Sequence, residues 1–223
     1  MKGEIFAVIG TPHSNCHSIL AEVFTNEKTS EMPVFLANFK TDSKNIHQFS
    51  WNLINGRFEF QIREFPLSSE WYLFFSQNEE ISSQIEGLID LLDHNQELSL
   101  ARIITFVDSD LLEQEPFFTW LDCAAHFSDA MCFCNRSNDN AKFIKNAIER
   151  YKLMHYPMET LIHGNKKKSS INRLLSNTTL RISHVFDSPE LLENDDSPES
   201  DPYLKRHNDG RRVRAVPYKF QQN

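Results

Sequence analysis

Residues 5–18 read IFAVIGTPHSNCHS, and this stretch decides the fold. Its first five residues are all apolar, the length of a strand buried on both faces and too short for a buried helix. Gly10 ends the run, a proline-containing loop follows, and apolar positions then recur at helical spacing over 18–24. The same alternation continues outward. Strand-like runs lie at 34–39 (VFLANF), 71–75 (WYLFF), 103–107 (IITFV), 130–134 (AMCFC) and 158–162 (METLI). Helical patterns lie at 81–92, 117–127 and 141–153, and 58–65 (FEFQIREF) alternates like an edge strand with one wet face. Strands that alternate with helices need right-handed crossovers. The expected fold class is α/β, with a mostly parallel central sheet, helices on both faces and ligands at the carboxyl ends of the strands.

The chain has 223 residues, enough for one good core, with 40% hydrophobic and 24% charged residues. Eighteen Phe residues predict a core rich in aromatic rings. A net charge of −8 disfavours non-specific binding to nucleic acid, and no apolar run reaches the length of a membrane span. The start, Met1-Lys2-Gly3-Glu4, leads straight into a strand, so no signal peptide is expected. Cys16, Cys123, Cys132 and Cys134 fall in segments that read as buried helix and strand, which fits reduced thiols and a cytoplasmic setting. Residues 1–187 are expected to form one domain. Residues 188–223, acidic and Pro/Ser-rich and then basic, read as an irregular tail that docks on its own domain, on a second copy or on a protein partner.

A strand ending in glycine, a short loop and a helix is the setting of the Walker A motif, G-x-x-x-x-G-K-[ST]. There, backbone N–H groups cradle phosphates, Lys neutralises them and a hydroxyl holds Mg²⁺. Residues 10–17 here are G-T-P-H-S-N-C-H. Gly10 is kept, and Asn15 replaces the second glycine, a residue able to adopt a left-handed backbone. Cys16 stands where Lys belongs and His17 where Ser/Thr belongs, with Ser18 one position late.

The order of the later segments resembles the CobW family of P-loop GTPases, a metallochaperone-like group linked to zinc and cobalt handling. The resemblance covers roughly residues 4–187 and leaves the family's separate C-terminal domain without a counterpart. Asn55-Gly56-Arg57-Phe58-Glu59-Phe60 lies at the family's N-G-C-x-C-C metal segment with every cysteine replaced. Phe75-Ser76-Gln77-Asn78 lies at the switch and Asp108 at the Walker B carboxylate. Ser128-Asp129-Ala130, leading to Asn135-Arg136-Ser137-Asn138, lies at the guanine motif. The resemblance implies a P-loop NTPase-like fold and nucleotide-binding positions at Gly10, Asn15, Cys16, His17, Ser18, Asp108, Asn135 and Asn138. Asn138 replaces the Asp that accepts two protons from guanine, so guanine selectivity should fall.

The departures weaken that chemistry. A charged hydrogen bond to phosphate contributes roughly 1.5–3 kcal/mol, so losing the Lys weakens binding by about 10–100-fold. His17 is a poor ligand for Mg²⁺, which prefers oxygen, so little remains to hold that ion. Asp108 has a second reading as a turn or helix-cap carboxylate, and Asn135 one as an ordinary strand-to-helix turn. Lys166, Lys167 and Lys168 lie where related GTPases place their last guanine loop, or form a solvated loop.

Other constellations compete. His13, Cys16 and His17 near a helix start are candidates for a reactive or metal-binding loop, because a helix N-terminus lowers a thiol's pKa. Cys123-x-x-His126 and Cys132-x-Cys134 have zinc-like spacing, but buried small residues explain them better. No G-x-S-x-G, H-E-x-x-H or G-x-G-x-x-G is present. The expected function is therefore that of a pseudo-GTPase, a binding or regulatory module with weak or no hydrolysis. GTP or another nucleotide would bind weakly if at all. The alternatives are an active GTP/ATP hydrolase, with Ser18 and Asp108 on Mg²⁺, and a metal-binding, metallochaperone-like protein.

Overall fold

The computed structural model describes residues 1–25, 32–40, 44–164, 171–176, 178–187 and 200–220. Its first strand, β1 (Gly3–Gly10), is followed by α1 (Cys16–Thr25), β2 (Val34–Leu36) and β3 (His47–Phe49). Next come β4 (Trp51–Ile54), β5 (Arg57–Phe60), β6 (Glu70–Phe74) and α2 (Ile81–Asp93). Then β7 (Leu98–Asp108) precedes α3 (Phe117–Phe127), β8 (Ala130–Cys134), α4 (Ala141–Leu153), β9 (Glu159–Ile162) and α5 (Ile171–Leu174). Among the described residues the main sheet has seven strands in the order β3-β2-β6-β1-β7-β8-β9. Every neighbouring pair in it is parallel. The expected α/β class holds, and β1 and β7 are direct parallel neighbours at the sheet's centre.

β1 shows why an all-apolar run was needed. Its alternate residues point to opposite faces. Ile5, Ala7 and Ile9 join one core with α2, α3 and α4, while Phe6 and Val8 join a second with α1 and α5. Both cores are aromatic: Phe6, Phe24, Phe35, Phe74 and Tyr72 pack ring on ring on the α1 side. The same alternation disposes of the zinc-like spacing. Cys123 lies in the first core and Cys132 and Cys134 in the second, so the sheet separates them. All four cysteines are buried free thiols.

Two expectations need correction. Residues 58–65 are not an edge strand of the main sheet. Only β5 is extended, and it pairs antiparallel with β4 in a separate hairpin turned by Asn55 and Gly56, both at positive φ. Asn-Gly is the preferred pair for such a turn. The wet face is real: Phe58 is buried and Glu59 exposed. The hairpin sits on α2 at Gly87, where a Cβ would meet Phe58 and Leu53 at 3.0 Å. The true edge next to β2 is β3, whose three residues, His47-Gln48-Phe49, are too few to carry a readable pattern. The Lys166–Lys168 position lies outside the described residues.

The described C-terminal part, 200–220, folds onto its own domain. Tyr203 and Leu204 are buried, and Asp201 accepts hydrogen bonds from His126 Nε2 and Ser183 Oγ, each at 2.7 Å. Arg212 makes a two-pronged ion pair with Glu86 on α2. Among the described residues no helix is long and apolar enough to cross a membrane.

Candidate functional site

The carboxyl ends of β1, β6, β7 and β8 meet at one edge of the sheet, and Gly10, Asn15, Cys16, His17, Asp108 and Asn135 lie there. The phosphate-type loop leaves β1 at Gly10 and turns through His13 and Asn15, at φ 62° and 54°, before α1 starts at Cys16. Asn15 thus takes the left-handed conformation expected of a glycine substitute. The loop is knitted to its neighbours. The Thr11 amide donates to the Phe106 carbonyl at 3.0 Å, and Thr11 Oγ1 accepts the Asp108 amide at 2.7 Å. Ser14 Oγ donates back to the Thr11 carbonyl at 2.7 Å.

Asp108 and Asn135, 27 residues apart in sequence, also come together. Asn135, at φ 56°, donates from Nδ2 to the His13 carbonyl at 2.8 Å and to Asp108 Oδ1 at 3.0 Å. One amide therefore ties the loop, the end of β7 and the end of β8. Asp108 precedes a 3₁₀ turn (Ser109–Glu113) but makes no side-chain cap bond, so the cap reading of its carboxylate fails. Asn140, which no sequence pattern singles out, supports Asn135 by donating to its carbonyl at 3.0 Å and to Asp110 Oδ1 at 2.8 Å. Asn138 and Ser18 are exposed and do not line the cleft described next.

That cleft, of about 320 Å³, lies between the loop, the end of β2 and the segment after β6. Its walls include Asn15, His17, Asn38, Phe39, Gln77 and Asn78. Gln77 reaches the loop, donating to the Gly10 carbonyl at 3.3 Å, and Gln84 from α2 holds Ser76 through both its amide and its carbonyl. Trp51 seals the floor, its indole N–H shared by the Leu36 and Phe74 carbonyls. Trp51 was missed in the sequence; the Asn55-Gly56 hairpin signal would have placed it opposite Phe60. Among the described residues that line the cleft there is no Lys, Arg, Asp or Glu.

The electrostatics follow from burial. Cys16 Sγ leans over Gly10, 2.8 Å from where a Cβ there would sit, so any side chain at position 10 would collide with it. Burial pushes the Cys16 thiol up to about 12, against a smaller opposing effect of its hydrogen bond with Ser14. Burial also lowers His17 below the usual histidine range, and its ring packs on Phe39 at 4.7 Å. Position 16 thus offers a neutral thiol where a phosphate site needs an ammonium. The helix-start argument for a reactive Cys16 is outweighed by desolvation. At pH 8 the thiolate fraction of Cys16 should be about a thousandfold below that of a free thiol. Native protein should accordingly resist iodoacetamide at Cys16, and urea-unfolded protein should be labelled there; rapid native labelling would contradict this placement. Among the described residues no group of three or more His, Cys, Asp or Glu could hold a metal ion.

No family model matches the sequence, and no curated protein is similar to it. Solved structures are. A Zn(II)-bound triple mutant of the YjiA GTPase superposes with a TM-score of 0.52 at 12% identity, over 80% of this chain and 62% of that one. Zn(II)-bound YjiA GTPase from E. coli gives 0.49 at 10% identity, over 81% and 63%. The chain thus spans about 62% of the YjiA length. It has a P-loop NTPase-like α/β fold, shared with a GTPase.

Proposed function

We propose that this protein is a degenerate CobW-like P-loop domain, a pseudo-GTPase that acts as a binding or regulatory module with weak or no nucleotide hydrolysis. One observation carries the reading: where the phosphate-binding Lys belongs, a buried neutral Cys16 leans over Gly10, and no Lys or Arg lines the cleft among the described residues. Asn135 donates to both Asp108 and the His13 carbonyl. The residues that would attend Mg²⁺ and guanine here serve as internal struts. In this reading residues 1–187 are the body and 188–223 a tail of which 200–220 are described, the protein works in the cytoplasm, and Gly10, Asn15, Cys16 and His17 mark a site of weak nucleotide affinity.

Calorimetric titration with GTP, GDP and ATP, with and without Mg²⁺, tests this. The unaltered protein should release little or no phosphate. It should bind each nucleotide about 10–100-fold more weakly than a Cys16→Lys, His17→Ser variant that restores the ammonium and the hydroxyl. Mg²⁺-dependent binding by the unaltered protein on the order of micromolar, with turnover, would overturn the reading.

A further inference from the structure

A larger cavity lies beside the loop cleft and has its own chemistry. The C-terminal segment passes over the start of α2 and over α3 and encloses about 690 Å³, within the range of small-molecule sites. The two cavities share Gln77 and Asn78. One wall is aromatic: Trp120 stacks on Phe117 with ring centroids 5.5 Å apart, and Phe220 meets Trp120 edge-on at 5.1 Å. Tyr218 packs on both Phe117 and Phe220.

The other wall is cationic, in a protein whose net charge is −8. Arg206 and Arg212 are both spent on Glu86. Arg212 nevertheless keeps a buried Nε–H without a partner, although its side chain is only 9% exposed. Among the described residues the Arg211 guanidinium has only a long contact to Asp209, at 3.6 Å, and its side chain is 85% exposed. Arg214 lies over the Tyr203 ring at 4.5 Å, and neither it nor Lys219 has an acidic partner among the described residues. Glu79 and Glu80 are the acidic residues lining the cavity, too few to neutralise it.

We propose that this cavity binds a small aromatic anion, its ring against Trp120, Tyr218 and Phe220 and its carboxylate or phosphate against Arg211, Arg214 and Lys219. Guanidinium groups bind carboxylate and phosphate oxygens through paired hydrogen bonds, and rings stack on aromatic walls at little entropic cost. The site adjoins the loop cleft but has its own aromatic and cationic walls, and it does not depend on the pseudo-GTPase reading.

The test uses 8-anilinonaphthalene-1-sulfonate and its uncharged relative N-phenyl-1-naphthylamine on the full chain. The sulfonate should bind saturably, one per chain, and an Arg211→Glu, Lys219→Glu variant should weaken it by at least about tenfold. The uncharged probe should change by less than about twofold, which also reports that the variant is folded. Competition by 1-naphthoate and by 1-naphthyl phosphate identifies which anion the wall prefers. Three results would overturn the proposal: no saturable binding, equal affinity for the two probes, or equal weakening by Arg136→Glu in the exposed turn after β8.

Discussion

Asp129→Ala should lower stability by about 3–5 kcal/mol, the usual cost of stranding one partner of a buried ion pair. Asp129 is fully buried at the amino end of β8 and serves three groups at once. Its carboxylate accepts the Ile103 amide at 2.8 Å and the Leu180 amide at 2.7 Å, and it pairs with Arg181, whose side chain is 5% exposed. Without it, the buried Ile103 N–H and the half-buried Leu180 N–H lose their acceptor. Arg181 keeps only Asp187, at 3.7 Å, and the face of Phe186. The size of the effect comes from the stranded charge, so adding Arg181→Met to Asp129→Ala should recover part of the loss. Urea unfolding midpoints measure both. A single variant within about 1 kcal/mol of the parent would show that the carboxylate does not organise this end of the sheet.

Asp201→Ala should be comparably damaging, about 3–5 kcal/mol, because it leaves His126 buried without its partner and removes the acceptor of four donors. It also carries a pH signature. Burial pushes the Asp201 carboxyl up, but the hydrogen bond and charge of His126, the Ser183 hydroxyl and the Tyr203 amide outweigh it and hold it below the usual carboxylate range. A depressed folded pKa means that this stability is complete above the unfolded value of about 3.9 and is lost as pH falls through the folded value. Acid titration of the parent, followed by near-ultraviolet circular dichroism, should show a limb in that window that Asp201→Asn lacks. An unchanged acid limb in Asp201→Asn would remove the carboxylate as the clamp between the C-terminal segment and α3.

Both predictions concern contacts that no pattern in the chain announces. Asp129 appears in sequence only as the residue before an apolar strand. Its partners, Ile103, Leu180 and Arg181, are brought to it by the parallel β7–β8 pairing and by the return of the chain after α5. Asp201 stands in a stretch whose composition reads as a solvated tail. The burial of Tyr203 and Leu204 beside it depends on a surface offered by α3 and is invisible to local composition.

What the sequence by itself determined was the architecture. Apolar runs of five such as 5–9 and 103–107 can bury both faces only inside a parallel sheet, and helical repeats such as Ile81, Ile85 and Leu88 supply its cover. It also determined the composition of the loop: Gly10 kept, Asn15 able to turn left-handed, and no ammonium at position 16. The tertiary structure decided what those residues do. A cysteine at a helix start reads locally as an activated thiol, but the packing around Cys16 removes it from water, and desolvation outweighs the helix end. Asp108 and Asn135 read separately as metal and purine contacts. Only the adjacency of β7 and β8 brings them within 3.0 Å and turns them into struts of the loop. Hydrophobic periodicity is local and survives in one dimension. Charge state and hydrogen-bond partnership depend on groups distant along the chain, and folding alone brings those groups together.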